Sequence, residues 1–318
     1  MKLTRREMMI GSAATLSIAS LGIAGSARAA DDKKDRFSRA LIGGANAKTL
    51  ESFKAAGFSG IETQAWSASP EDAAKGREIA ESLGMTIHSV MRGWANFNTP
   101  SIEKDIESVK TALRAAAGYG ADAILLVPCR TGAKGPQPWE FDIEFDENTC
   151  EVKSVVKGDN SQYEAYIKAQ NDANDATRKA LEQCIPLAEE LGVTIALENV
   201  WNNLWVKPAL FAAYVRSFKH ASVQSYYDIG NHVKYAPPVE WIKALSDTIV
   251  KIHVKDFKLN DNGQGGRFCT IGEGSADWPA VSKALDAIGY RGWITIEGGG
   301  LPKDKLAERL AEILPPQS

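Results

Sequence analysis

Four stretches of this chain follow one local pattern: "AAGFSGIE" (55–62), "ESLGMTIH" (81–88), "EELGVTIALE" (189–198) and "DAIGYRGWITIE" (286–297). Each runs from a helix-compatible end through a glycine into a short apolar run. A glycine just past a helix supplies the left-handed conformation that ends it. The apolar run that follows suits a strand buried on both faces, as strands of a parallel sheet are. Helix, glycine and strand in repetition leave few architectures other than a parallel sheet with helices on its outside. Strands are expected over 39–43, 60–64, 86–90, 123–127, 193–198, 223–228, 249–254 and 293–297, about the eight that close a barrel. Helices are expected over 70–83, 102–117, 165–191, 208–218, 239–245, 278–288 and 303–313. The expected fold is therefore α/β, a (β/α)8 TIM barrel forming one domain.

One segment breaks this rhythm. Between 130 and 162 the residues 141–145 alternate, 146–148 have turn composition, and 150–156 alternate again. This predicts a β-hairpin inserted after the fourth strand. It is expected to project from the mouth and shape a pocket there, or else to serve as an edge for dimer contact.

The N-terminus has a different character. Lys2, Arg5 and Arg6 precede an uncharged apolar and small-residue run, and Ala27-Arg28-Ala29 has the form of a processing site. "TRREMM" is similar to a twin-arginine export signal. Residues 1–29 are thus expected to be an export signal, twin-arginine or Sec, and residues 30–318 the mature domain, periplasmic or secreted. The run is short and rich in Gly and Ser, so no stable membrane span is expected after processing. The whole chain has 37 basic and 40 acidic residues; without the four basic residues and one acid of 1–29 it has 33 and 39, a net of −6. An acidic body argues against a nucleic-acid partner. None of the four cysteines falls in a CxxC pair, so zinc-finger and redox motifs are not indicated.

The chemistry is concentrated at strand ends. Glu198 closes "VTIAL", Asp228 closes "VQSYY", His253 closes "IVKI" and Glu297 closes "WITI". In a parallel barrel these ends converge on one mouth. Three carboxylates and one imidazole there make a site for a hard-to-borderline divalent cation, which also removes the penalty of crowding like charges. The oxygen-rich set suits Mn²⁺ best, with Zn²⁺, Co²⁺ or Mg²⁺ as alternatives. Other candidates for contact with a ligand are Glu62 and His88 at the ends of the second and third strands, Lys255 two positions past His253, and Arg130. His220, at a helix end, is expected at the surface. Trp66, Trp94, Trp139, Trp201 and Trp205 fall in loops after strands two to five. Their rings suit the apolar C–H face of a sugar, with loop packing as the alternative role.

The phrases "VTIALENVWNN", "YYDIGNHVKY", "IVKIHVKDF", "IGEGSADW" and "GYRGWITIE", spread over most of the mature chain, resemble the xylose isomerase-like barrels, in particular the sugar phosphate isomerase/epimerase family that includes ketose 3-epimerases. The resemblance implies that Glu198, Asp228, His253 and Glu297 bind one divalent metal. It implies too that Glu198 and Glu297 remove and return a proton on opposite faces of a sugar, through a metal-stabilised enediolate. A substrate-binding His would follow the Asp by three positions; here Asn231 holds that place and His232 comes next, so either is a candidate, as is Trp201 nearby. A second Glu expected six positions after the first is Leu204 here, which departs from the ketose 3-epimerase pattern. "GEG" at 272–274 lacks the form of a phosphate loop and is expected to be rim scaffold.

The leading expectation is a metal-dependent isomerase or epimerase of a carbohydrate, non-phosphorylated because exported, with a homo-oligomer and a monomer both left open. The same site is compatible with a lyase that expels a leaving group from a 3-keto glycoside. A non-catalytic sugar-binding barrel is a further reading. A metal-dependent nuclease is disfavoured by the acidic body and the supply of only four His.

Overall fold

A computed structural model describes residues 36–298 and 300–316; the expected export signal lies outside these residues. Eight parallel strands close a barrel: β1 (Ser38–Ile42), β2 (Gly60–Thr63), β3 (Thr86–Trp94), β4 (Ala123–Val127), β7 (Thr194–Glu198), β8 (Val223–Asp228), β9 (Ile249–Val254) and β12 (Trp293–Ile296). Each pairs with its neighbours in chain order, and β12 returns to β1. The helices are α1 (Ala47–Ala55), α2 (Pro70–Ser82), α3 (Ile102–Tyr119), α4 (Glu164–Leu191), α5 (Pro208–Ser217), α6 (Pro238–Leu245), α7 (Trp278–Ala287) and α8 (Lys303–Ile313). The glycines that open the repeated phrases, Gly57, Gly84, Gly192 and Gly289, all have φ between 64° and 90°. There an alanine would be strained, so glycine ends the helix and aims the chain into the next strand.

Most of the apolar core lies between barrel and helices. A smaller cluster, Leu125, Val127, Ala196 and Tyr226, fills part of the barrel interior. The remainder of the interior is polar. His88 stacks on Trp293, with ring centroids 4.6 Å apart, and its Nε2 lies 2.9 Å from Thr295 Oγ1. At the base, Lys251 pairs with Asp122 at 2.6 Å. Gly60 lies so close to the Trp293 ring that a Cβ would overlap it. The bottom of the barrel is therefore plugged, and only its other end can receive a ligand.

The inserted hairpin forms, as β5 (Glu144–Phe145) and β6 (Val152–Ser154), but it does not project from the mouth. It lies down the outer flank. Asn171 of α4 bonds both the N–H and C=O of Val152 (2.8 and 3.0 Å), and Asn174 donates to the Cys150 carbonyl at 3.1 Å. Burying Cys150, Val152 and Val155 against α4 outweighs projection into water. A second ribbon has no counterpart in the sequence expectations: β10 (Asp256–Leu259) pairs antiparallel with β11 (Gly266–Cys269) at the mouth. Helix α1, whose end the phrase "AAGFSGIE" marked without giving its range, is capped by Asn46 and buries only Leu50 and Phe53. All four cysteines are free thiols, Cys129, Cys150 and Cys184 buried.

Candidate metal centre

Asp228, the last residue of β8, is shaped by its own turn. Its Oδ1 accepts the N–H groups of Gly230 (2.8 Å) and Asn231 (2.7 Å). Its backbone N–H and C=O are clamped by the Asn199 side chain at 2.7 and 2.9 Å. One carboxylate oxygen is thus held in place, and Oδ2 is left free to point inward. The turn needs glycine at 230, where a Cβ would lie 2.6 Å from the Lys255 Cβ.

His253 sits beside Asp228 in the β8–β9 register. Its Nε2 is 2.5 Å from Glu62 Oε2, and Glu62 is itself held by Ser89 Oγ at 2.9 Å. In the neutral ring Nε2–H donates to this carboxylate, which leaves the Nδ1 lone pair facing the other side. There it lies 2.8 Å from Glu297 Oε2, 3.6 Å from Glu198 Oε1 and 3.9 Å from Asp228 Oδ2. One ligand atom from each of Glu198, Asp228, His253 and Glu297 lies within 4.8 Å of all the others.

Three of those atoms, Asp228 Oδ2, His253 Nδ1 and Glu297 Oε2, are buried, and outside the cluster itself their close charged neighbour is the Lys255 ammonium. Buried acceptors are seldom left short of donors, and here they face one another. Burial pushes the Glu198 carboxyl up to about 7. Burial also raises Asp228, even against the Lys255 ammonium. At His253 burial lowers the pKa, but Glu62, Glu198 and Glu297 outweigh it and hold the ring well above its ordinary value. At Glu297 burial raises the carboxyl, but His253 and Lys255 overcome this and bring it to about 2. The protein alone balances this charge by retaining protons; a divalent cation would balance it with the lone pairs already aimed. The donor set, three oxygens and one imidazole nitrogen, fits such an ion.

The other sequence candidates are distributed unevenly. Lys255 reaches the cluster, its Nζ 2.8 Å from Glu297 Oε2, 3.5 Å from Asp228 Oδ2 and 3.4 Å from Asn231 Oδ1. It makes no pair with Asp256. Asn231 reaches it too, donating from Nδ2 to Glu198 Oε1 at 3.2 Å. The Trp201 indole N–H donates to the Asn231 carbonyl, while its ring remains 41% exposed. Glu62 lies behind His253, fully buried, and not in the open mouth. His88 lies deeper, on the Trp293 ring, away from the cluster. His232 turns away from the mouth: its Nε2–H donates to the Val200 carbonyl at 3.0 Å and its ring packs between Tyr235 and Trp241. Arg130 caps Trp94, 3.4 Å from the ring centroid, and Trp205 is buried against Phe211 and Tyr214. Asn199 and Tyr226, whose ring leans on His253 at 4.5 Å, were not anticipated. The signal for Asn199 was present, since it follows Glu198 directly.

Comparison with known proteins adds three findings. The model of a family described as xylose isomerase-like TIM barrel matches residues 50–316. L-ribulose-5-phosphate 3-epimerase UlaE of Escherichia coli O1:K1 / APEC is 30% identical over 135 residues, 42% of this chain and 45% of that protein. The match therefore spans less than half the length of that relative. Among solved structures, a D-tagatose 3-epimerase-like protein superposes with a TM-score of 0.65 at 18% identity, covering 87% of this chain and 97% of the other. The 3-keto-D-glucoside 4-epimerase YcjR of E. coli gives 0.60 at 15%, covering 87% and 98%. At these identities the structural matches speak for the fold.

Proposed function

The chain belongs to the xylose isomerase-like TIM-barrel family, and from that premise we propose that it is a divalent-metal-dependent isomerase or epimerase of a carbohydrate, moving a proton at a carbon next to a carbonyl. The observation that carries this reading is the convergence of four ligand atoms, three of them buried, with a single Lys255 ammonium set against three carboxylates. A bound divalent cation, Mn²⁺ by preference, would supply the positive charge that makes such a proton removable at neutral pH.

The chain's own residues divide the remaining work. Glu198 and Glu297 come from β7 and β12, with β8 and β9 between them. Standing on either side of the cluster, they take a proton from one face of the sugar and return it to the other. The Asn231 amide orients Glu198, and the Lys255 ammonium orients Glu297 and donates to a substrate oxygen. Trp201 lines the mouth beside them, its ring packed against Phe268 and Lys234 and partly open to a ligand. His88, Glu62 and His232 support the walls from behind. The export signal read from residues 1–29 accords with a periplasmic, non-phosphorylated substrate.

Two measurements test the reading. Purified protein should carry close to one equivalent of divalent metal by elemental analysis, and the Glu198→Gln variant should lose it. In D₂O, metal-loaded protein should incorporate deuterium next to the carbonyl of at least one sugar in a broad ketose and aldose panel. Absence of exchange across the panel would defeat the proposal. A product split at a glycosidic bond, in place of an isomer of unchanged mass, would mark elimination.

A further inference from the structure

Three large apolar side chains remain substantially exposed among the described residues: Trp139 (44%), Trp201 (41%) and Phe268 (44%). They are not scattered. Trp201 and Phe268 stack with centroids 4.9 Å apart, on the face of the β10–β11 ribbon that also carries Phe257. Phe268 lies 5.6 Å from the Lys255 ammonium, which belongs to the candidate metal centre. On the other side of Trp201, the Lys234 ammonium sits 3.3 Å from the ring centroid. Lys234 in turn lines a groove of about 420 Å³, together with Trp139, Tyr235, Pro237 and Leu259. A chain of side-chain contacts thus links the cluster through Phe268 and Trp201 to Lys234, which shares the groove with Trp139. Along it the four residues of β10 alone extend roughly 10 Å at a strand's rise per residue, farther than one sugar ring reaches.

The groove has the size and lining of a small-molecule site, mostly apolar with a few polar groups. Lys234 is its principal donor. It contacts only aromatic faces, with no carboxylate in ion-pairing reach among the described residues. A half-buried ammonium with free N–H groups is suited to a hydroxyl, ring or carboxylate oxygen of a ligand. The exposed Trp139 ring in the same groove suits the C–H face of a pyranose.

We infer that this groove is a second sugar subsite, and that the substrate is a glycoside or oligosaccharide: one ring reacts at the metal cluster while the ring linked to it lies against Trp139 with an oxygen on Lys234. The inference rests on the carbohydrate reading above and narrows its substrate class. It also carries a chemical consequence. Where the reacting ring is the one whose anomeric carbon forms the glycosidic bond, that carbon cannot serve as the carbonyl. An oxidation of a ring hydroxyl to a ketone must then come before this enzyme.

The test is equilibrium binding, by titration calorimetry of full-length Mn²⁺-treated protein with glucose, cellobiose, maltose and lactulose. At least one disaccharide is expected to bind about tenfold or more tightly than glucose. The Trp139→Ala variant should bring that ratio close to one, and Lys234→Met should lower it severalfold. Neither residue touches the metal cluster, and circular dichroism with thermal melts would establish that both variants fold. Disaccharides that bind no more tightly than glucose, or a preference that survives Trp139→Ala, would overturn the subsite. Deuterium exchange separates this result from the function proposed above. Exchange on monosaccharides with no disaccharide preference sinks the subsite alone. A Trp139-dependent preference with no exchange on any sugar sinks the isomerase reading alone.

Discussion

The His253 ring is fixed between two sets of carboxylates, and Glu62 behind it decides which nitrogen faces the ligand cluster. A carboxylate accepting from the far nitrogen of a metal-ligating imidazole sets its tautomer and raises its basicity. Glu62→Gln is therefore expected to weaken Mn²⁺ binding by about 10- to 100-fold, read by competition with a fluorescent chelator, with little change in secondary structure. Unchanged affinity would remove Glu62 from the site's support. His232 makes a different point. Spacing alone left Asn231 and His232 as equal candidates. The turn after Asp228 settles their placement, because Asp228 Oδ1 gathers the N–H of Asn231 and sets its amide on Glu198, while His232 is carried underneath. There, burial pushes its pKa down to about 3. The unfolded chain binds this proton below about pH 6.5 and the folded chain does not, so stability falls with acidification from about 6.5 toward 3. Between pH 7 and pH 5 this group should remove about 2 kcal/mol. Urea unfolding at the two pH values should show a shallower loss in His232→Gln; an equal loss would assign the acid sensitivity elsewhere.

The β10–β11 ribbon depends on one buried carboxylate. Asp256 accepts N–H groups from Phe257 (2.9 Å), Gly272 (2.9 Å) and Gly274 (3.0 Å) and from the Trp278 indole (3.0 Å). It thereby ties the ribbon to the 272–274 loop and to the start of α7, and a Cβ on Gly274 would overlap it. The "GEG" segment is scaffold at the rim, as its lack of phosphate-loop form suggested. Hydrogen bonds to a charged acceptor are the stronger kind, so Asp256→Asn should destabilise the fold by about 3 kcal/mol, measured by urea unfolding. A change within about 0.5 kcal/mol would mean that the ribbon is held by its aromatic packing instead. The same elements show what a sequence can and cannot disclose. The barrel strands were legible because their glycine-marked entries and apolar runs are local properties. The ribbon was not, because "DFKL" and "GRFC" are short and charged, and are ordered by a carboxylate pairing with backbone some 16 residues away. The hairpin's existence was legible from alternation, but its direction depends on Asn171 and Asn174 of α4, which alternation does not encode.

A closed parallel barrel converts order along the chain into convergence in space, which explains why the metal candidates were readable from strand ends alone. Glu198, Asp228, His253 and Glu297 lie on four strands adjacent in the barrel. Depth was not readable. Glu62 and His88 also end apolar runs, yet Glu62 lies buried behind His253 and His88 is stacked on Trp293. The result is a barrel whose interior is plugged at one end and strained by like charges at the other. A ligand that binds only the folded state stabilises it in proportion to the logarithm of its concentration over Kd, about 2.7 kcal/mol at a hundredfold excess. For a chain of this size that corresponds to a melting shift of about 4 °C. Chelation by EDTA is thus expected to lower the melting temperature of the wild-type protein by about that much, with Mn²⁺ restoring it. Glu198→Gln removes one ligand and one of the crowded charges, so its melting temperature should respond little to either treatment. An equal response in both proteins, read by differential scanning calorimetry, would place the stabilising cation away from the mouth and leave the four strand ends without their common role.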